Sequence, residues 1–275
     1  MLETLLQPFE FSFMINAFII VAIISLPTAV LSCFLVLKGW SLMGDAISHA
    51  VLPGLILAYV LNIPLIIGAF FAGLVCSGAS GFISDNCRVK PDAVLGVVFS
   101  GMFGLGVVLF TKINTDLHLD HILFGNILGI SSIDIWISGI ISVVVFLIII
   151  LRYKDLLIHS FDPIQARAVG LSVKVLHYLL LILISLTIVA TLSSVGIILS
   201  IGLLIAPGSI AFLSTRDFTH MLFSSVLVTV LSCFFGVYLS FFFDSAPAPT
   251  IVLVLTFVFI ITFLLSNKVT RHQPS

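Results

Sequence analysis

Long apolar stretches alternate with short polar links along almost the whole chain. Because a helix rises 1.5 Å per residue, about 20 apolar residues cross the roughly 30 Å hydrocarbon core of a bilayer. Nine stretches meet this length, and soft boundaries leave a count of eight open. The predicted spans are 12–37, 41–61, 64–84, 93–111, 133–151, 173–192, 195–214, 218–243 and 247–266. The pattern therefore predicts an all-α polytopic membrane protein.

The composition agrees with a chain whose main solvent is lipid. Hydrophobic residues make up 60% of the 275 residues and charged residues 8%, against about a quarter charged in soluble domains. The net charge of −1 gives no basis for a nucleic-acid partner. The four cysteines form no CxxC pair, so neither a zinc site nor a disulfide framework is indicated. We interpret residues 1–275 as a single transmembrane domain.

The basic residues predict how the chain is oriented. Lys and Arg accumulate in the cytoplasmic loops of membrane proteins. With nine spans and the N-terminus outside, ten of the 11 basic residues fall on one side and Lys112 alone on the other. The ten are Lys38, Arg88, Lys90, Arg152, Lys154, Arg167, Lys174, Arg216, Lys268 and Arg271. This bias predicts a cytoplasmic C-terminus.

An acidic residue lies where a membrane span should be apolar. Asp45 is the only carboxylate well inside any predicted span, and His49 follows one helical turn later on the same face. Placing an Asp at such depth costs at least ~2.5 kcal/mol, so a functional role is the first hypothesis. Pro53 has no N–H, which leaves the His49 carbonyl without its helical donor. The Asp45 carboxylate, the His49 imidazole and the freed His49 carbonyl together favour a site for a divalent cation.

Asp45 and His49 alone do not determine which metal binds or which other ligands complete its coordination shell. Oxygen and imidazole ligands suit manganese, ferrous iron or zinc rather than copper(I). Two side chains cannot fill a coordination shell, so other helices or a second copy must contribute. A proton relay and a purely structural Asp45–His49 pair are the alternatives.

Two polar segments outside the spans carry further candidate residues. Residues 115–126, on the predicted outer side, form either an access funnel for a cation or, as we favour, a solvated loop. The possible metal ligands in this segment are Asp116, His118, Asp120 and His121.

Residues 159–172 form the longest predicted cytoplasmic loop. There Asp162 suits an N-cap, Pro163 the first helical position and Gly170 a helix stop, which predicts a helix of about two turns. Such a helix packs on the protein's own inner face or docks a cytoplasmic partner.

Enzymatic interpretations find little support. The sequence "GASG" at 78–81 fits the GxSG pattern of intramembrane serine proteases, with Ser80 as nucleophile and His177 or His220 as base. Small residues in a membrane helix are more often a close-packing face, which we favour. The chain contains no GxxxxGK[ST] motif, so we do not expect it to hydrolyse ATP.

Several of these stretches resemble a known family. "VLKGWSLMGDAISHAVLPG" at 36–54 is similar to the signature of the metal-type ABC importer permeases, closest to the chelated iron and manganese branch. Supporting stretches are "TDLHLDHILFGNILGIS" at 115–131, "FDPIQARAVGL" at 161–171 and "GIILSIGLLIAPGSIAF" at 196–212. The resemblance covers most of the chain.

The resemblance implies a type II ABC importer permease-like fold in a bacterial cytoplasmic (inner) membrane. Two permease chains, either two copies or this chain with a paralogue, would enclose the pathway, and an extracytoplasmic binding protein would deliver manganese, iron or zinc. Asp45 and His49 match the family's intramembrane metal site. The metal would be cargo, with no permanently bound cofactor. A stand-alone proton-coupled metal transporter using the same pair is the alternative.

The resemblance also assigns a role to the cytoplasmic loop. Residues 161–170 match the family's coupling helix, which fits a groove of a separate ATPase subunit. The chain itself would then be a transport subunit and not an enzyme. The matching positions are Phe161, Asp162, Pro163, Ala166 and Gly170.

Overall fold

The structure is a computed structural model that describes residues 6–40, 42–113 and 127–270. These ranges are helical almost throughout, with two 3₁₀ turns at Gln7–Phe9 and Ile127–Gly129. The α-helices are α1 (Ser12–Lys38), α2 (Met43–Ala50), α3 (Leu52–Val60), α4 (Leu65–Asn86), α5 (Pro91–Lys112), α6 (Ser132–Leu151), α7 (Tyr153–Phe161), α8 (Pro163–Ala168), α9 (Val173–Ser214), α10 (Phe218–Phe242) and α11 (Pro247–Thr270). The predicted all-α polytopic class is confirmed.

Helices α1 and α9 form the centre of the bundle, and small residues let them approach closely. The backbone N–H of Gly208 donates a hydrogen bond to the Ser32 hydroxyl over 2.8 Å. A Cβ at Gly208 would lie 2.5 Å from the Ser32 carbonyl oxygen, closer than any carbon can approach. Glycine is therefore required at this crossing, which brings the two helices together without the help of long side chains.

Eight helices of the described residues are long and apolar enough to cross a membrane, and the longest of them is twice the usual length of a span. Helix α9 has 42 residues, about 63 Å if straight and twice the bilayer core, but Gly196 interrupts it with φ 82° and ψ 175°. His177, near its start, packs on Trp40 just beyond α1, and Thr215, just past its end, lines a cavity with Leu37 in the last turn of α1. Both ends of α9 therefore lie at the same end of the bundle, which gives nine crossings.

The second span is built from two short helices, α2 and α3, which meet at Val51. Pro53 lies in the first turn of α3, where its missing N–H is tolerated. Here Gly54 and Gly68 bring α3 and α4 into backbone contact, since a Cβ on either would strike the carbonyl oxygen of the other. The predicted span 41–61 is thus one crossing with a joint near its middle, and Asp45 lies on its first half.

One end of the bundle gathers the basic loops, and we call it the basic end. Lys38 Nζ lies 2.8 Å from His159 Nε2 and joins the end of α1 to α7. Arg167 and Lys174 line one cavity with the end of α4, and Arg216 lines another with Phe161. The clustering fits the predicted division of charge, while the sidedness of the termini stays a prediction. Helix α7, which precedes α8 here, was absent from the expectations.

Candidate metal site

Asp45 and His49 lie on α2, separated by one helical turn. Asp45 Oδ1 is 3.4 Å from His49 Nε2, which is long for a hydrogen bond. Donors about 2.1 Å from one cation are roughly 3.0 Å apart at right angles and roughly 3.4 Å apart in a tetrahedron. The separation is therefore compatible with two ligands of one metal ion.

The pair faces an open surface of the chain and not its core. The side chains of His49 and Asp45 are 31% and 38% exposed, whereas their neighbours Ala46, Ile47 and Ser48 are buried. Helix α2 thus turns its apolar face inward against α4 and α9 and leaves its only ionisable residues uncovered. An open carboxylate and imidazole in a membrane span indicate a surface that another molecule completes.

Two aromatic rings of α5 line the same face. The ring of Phe103 stands edge-on to the His49 imidazole at 5.6 Å, and the ring of Phe99 is 6.3 Å away. These rings lie on successive turns of α5 and form an apolar wall beside the imidazole. They limit the directions in which His49 can turn, which keeps Nε2 toward Asp45.

The chain alone does not provide a full coordination shell. Within the part of the chain that the structure describes, no three His, Cys, Asp or Glu side chains come together as metal ligands. Asp45 and His49 therefore contribute two donors, and Pro53 leaves the His49 carbonyl free of its usual helical donor. The other candidate ligands, Asp116, His118, Asp120 and His121, lie in residues 114–126, outside the described residues.

The loop residues form the short helix that their sequence predicts. Asp162 Oδ1 accepts hydrogen bonds from the N–H groups of Ile164 (2.8 Å) and Gln165 (3.1 Å), as an N-cap does. Pro163 opens the helix, and Gly170 takes φ +87° at its end. The six residues of α8 make slightly less than the two turns expected.

Helix α8 rests on the bundle through one face and exposes the other. Ala166 is fully buried, and its carbonyl accepts the Leu171 N–H over 2.9 Å, which completes a Schellman C-cap with Gly170. Phe161 and Ile164, by contrast, are 63% and 78% exposed, and Val169 is also exposed. The sequence indicated the caps of this helix but not its exposed apolar face.

Ser80 has no geometry for nucleophilic catalysis. Its hydroxyl is buried and makes no hydrogen bond to an imidazole base among the described residues. His177 lines the same cavity, but its Nε2 packs against Gly81, 3.0 Å from where a Cβ would stand. His220 lies elsewhere, exposed and 3.5 Å from Asp217. Gly81 instead makes room for the His177 ring and Leu181, whereas a Cβ at Gly78 would meet no atom within 4 Å.

Sequence reasoning missed a cluster of polar side chains at the basic end. His159 is 1% exposed, and burial beside Lys38 and His177 lowers its pKa to about 4. Lys38 and His159 are 121 positions apart in the sequence, so no local spacing predicts their contact. The one local signal was Trp40 beside Lys38, which by itself indicates only a membrane interface.

The fold and the spans define the chain as a membrane subunit of the ABC transporter type. PsaBC from Streptococcus pneumoniae, solved with a Fab, superposes with a TM-score of 0.85 at 35% identity over 96% of this chain and 95% of the other. An inward-facing transporter of the metal-chelate ABC type shares the fold, with a TM-score of 0.69 at 14% identity over 94% and 84%.

Within that class the chain belongs to the ABC 3 transport family, whose sequence model matches residues 10–266. It is 50% identical to the chelated iron transport system membrane protein YfeD of Yersinia pestis, over 95% of this chain and 88% of YfeD. It is also 50% identical to the manganese transport system membrane protein MntB of Synechocystis, over 96% and 86%. The resemblance noted from the motifs is confirmed.

Proposed function

We propose that the chain is the membrane permease subunit of an ATP-driven importer for a divalent transition metal. Manganese and iron are the first candidates, because relatives that match nearly the whole chain are named for manganese and for chelated iron. Zinc is the third candidate, since carboxylate and imidazole bind it as well. The observation that carries the proposal is the Asp45–His49 pair, open on a membrane helix and spaced for one cation.

A second permease chain completes the metal site in this proposal. Each chain supplies one carboxylate and one imidazole, so two chains supply four side-chain donors around a shared axis. Four donors suffice for a tetrahedral shell, and carbonyls or water extend it to the higher coordination of manganese. The second chain is another copy or a paralogue that keeps the residues corresponding to Asp45 and His49.

Helix α8 is the contact for a separate ATPase subunit. Ile164 on this helix, Phe161 at the end of α7 and Val169 at the C-cap of α8 are exposed apolar residues outside the membrane spans. They would lose water contact in a partner's groove. The role covers the loop 159–172 and includes the cap residues Asp162, Pro163 and Gly170. The chain needs this partner because its own sequence has no phosphate-binding loop.

The remaining parts of the proposal follow from this arrangement. Residues 1–275 act as one permease domain in the bacterial cytoplasmic membrane, with the N-terminus outside and the basic end facing the cytoplasm. An extracytoplasmic binding protein delivers the metal at the opposite end, where residues 116–121 lie by the charge rule. The ion passes between the chains, is held by Asp45 and His49, and is released inward when the ATPase moves α8.

Metal uptake by cells that express the complete system tests the site. Radiolabelled manganese, iron and zinc are supplied to wild type, Asp45→Asn and His49→Ala at equal membrane levels of the assembled complex. We expect both substitutions to lower uptake at least ten-fold, and the wild-type ratios identify the metal. Asp217→Asn and His220→Ala are matched controls, because this second Asp–His pair is similarly spaced but fully open to solvent.

The outcomes separate the proposal from its alternatives. Uptake that persists without the ATPase and collapses with the proton gradient would instead indicate a proton-coupled carrier. Unchanged uptake in Asp45→Asn and His49→Ala would make the pair structural and direct attention to Asp116–His121. A protease would lose activity with Ser80→Ala and tolerate Asp45→Asn.

A further inference from the structure

Four side chains from three parts of the chain meet at the basic end, and we call them the polar joint: Lys38, Trp40, His159 and His177. Lys38 Nζ donates a hydrogen bond to His159 Nε2 over 2.8 Å and lies 4.5 Å from the centre of the Trp40 ring. His177 stands edge-on to the rings of both Trp40 (5.2 Å) and His159 (6.4 Å). The contacts form a closed circuit of hydrogen bond, cation–π and ring–ring interactions.

The polar joint connects the two parts of the proposed mechanism. His159 lies on α7, whose last residue precedes the cap of α8. Trp40 lies three residues before Met43, where the helix that carries Asp45 begins. Because α7 and α8 are packed together and Ala166 is buried, a displacement of α8 can be passed to His159 through these contacts.

His159 provides a hydrogen-bond acceptor that an apolar side chain of similar size would lack. Since Lys38 can only donate, Nε2 accepts and the ring proton lies on Nδ1. Nδ1 is buried and has no hydrogen-bond partner among the described residues, which destabilises the folded chain. A leucine would fill the space without an unmatched donor, so the imidazole is explained by its acceptor, not by its volume.

We propose that His159 is a positioning residue for metal transit, whose hydrogen bond to Lys38 and contact with His177 hold Trp40 and the start of the Asp45 helix to the α7–α8 arm. Motion of that arm then moves Asp45 and His49, and loss of the link lets the ATPase cycle without moving metal. This inference rests on the proposed function and adds the route by which α8 acts on the metal site.

The test is the number of metal ions transported per ATP hydrolysed by the complete importer in proteoliposomes. We expect His159→Leu to lower this ratio at least five-fold while ATP hydrolysis continues. His159→Gln keeps an acceptor oxygen for Lys38 and is expected to stay within two-fold of wild type. His220→Leu, an exposed histidine at the same end, is the control and is expected to leave the ratio unchanged.

A double variant keeps the test decisive if His159→Leu assembles poorly. Lys38→Met with His159→Leu removes both polar partners, which restores stability more readily than removing one. A stable double variant with a low ratio supports the positioning role. An unchanged ratio in His159→Leu, or a normal ratio in the double variant, would overturn it. Failure of the proposed function is seen separately, as wild-type importer that moves no metal with ATP.

Discussion

Replacing Asp162 with alanine removes the side-chain cap of α8 and should weaken docking of the ATPase. The Asp162 carboxylate accepts two backbone N–H groups, from Ile164 and Gln165. Losing such a cap costs about 1 kcal/mol. Because a helix of six residues is marginal without tertiary support, that cost falls almost wholly on the helical population of α8. At 1.4 kcal/mol per factor of ten, the ratio of helical to non-helical α8 falls about five-fold.

Binding of the purified ATPase subunit to the permease in nanodiscs measures this effect. We expect the apparent Kd to rise about five-fold in Asp162→Ala and to change less than two-fold in Asp162→Asn, whose side-chain oxygen still caps the helix. Asp155→Ala removes a nearby carboxylate that pairs with Arg152 at the surface, and it controls for the loss of charge. Wild-type affinity in Asp162→Ala, or equal losses in the alanine and asparagine variants, would refute the capping argument.

Two further predictions concern stability, both measured as unfolding temperatures in detergent. Gly208→Ala places a Cβ against the backbone of Ser32 and should lower the free energy of unfolding by about 3 kcal/mol or more. Gly101→Ala is the control, because a Cβ there meets no atom within 4 Å, and it should be neutral or stabilising. Equal effects of the two substitutions would contradict the close crossing. Because burial lowers the pKa of His159 from 6.5 to about 4, the unfolded chain binds this proton more readily, and the free energy of unfolding should fall by about 3 kcal/mol as the pH drops from 6.5 to 4. His159→Gln should lack this part of the acid sensitivity, and an identical pH profile would refute the assignment.

Much of the fold could be predicted because lipid imposes a simple rule on length and polarity. The nine crossings follow from apolar stretches alone, including the two within α9. The predicted spans 173–192 and 195–214 leave Ser193 and Ser194 as the turn between them. In the structure the helix is interrupted at Gly196 instead. Both serines can bond back to the preceding turn and remain helical, while only glycine adopts the positive φ found there without strain.

Some features of the candidate site are local in the sequence and could be predicted, whereas others depend on contacts between distant helices and could not. Asp45 and His49 are visible in the sequence because a carboxylate one turn from an imidazole is rare in an apolar span. The cap residues of α8 are equally local. The rings of Phe99 and Phe103 beside His49, and the contact of His159 with Lys38, depend on packing between distant helices. One sequence contains no signal for such contacts.

The open face around Asp45 also bears on how the importer is made in the cell. A newly inserted chain has Asp45 38% exposed at a depth where an Asp costs at least ~2.5 kcal/mol in contact with lipid. In the proposed pairing a second chain covers the face and relieves that cost, so solitary chains would be at a disadvantage. The residues proposed to carry metal would thus also favour assembly of the subunit with its partner, before any metal has moved.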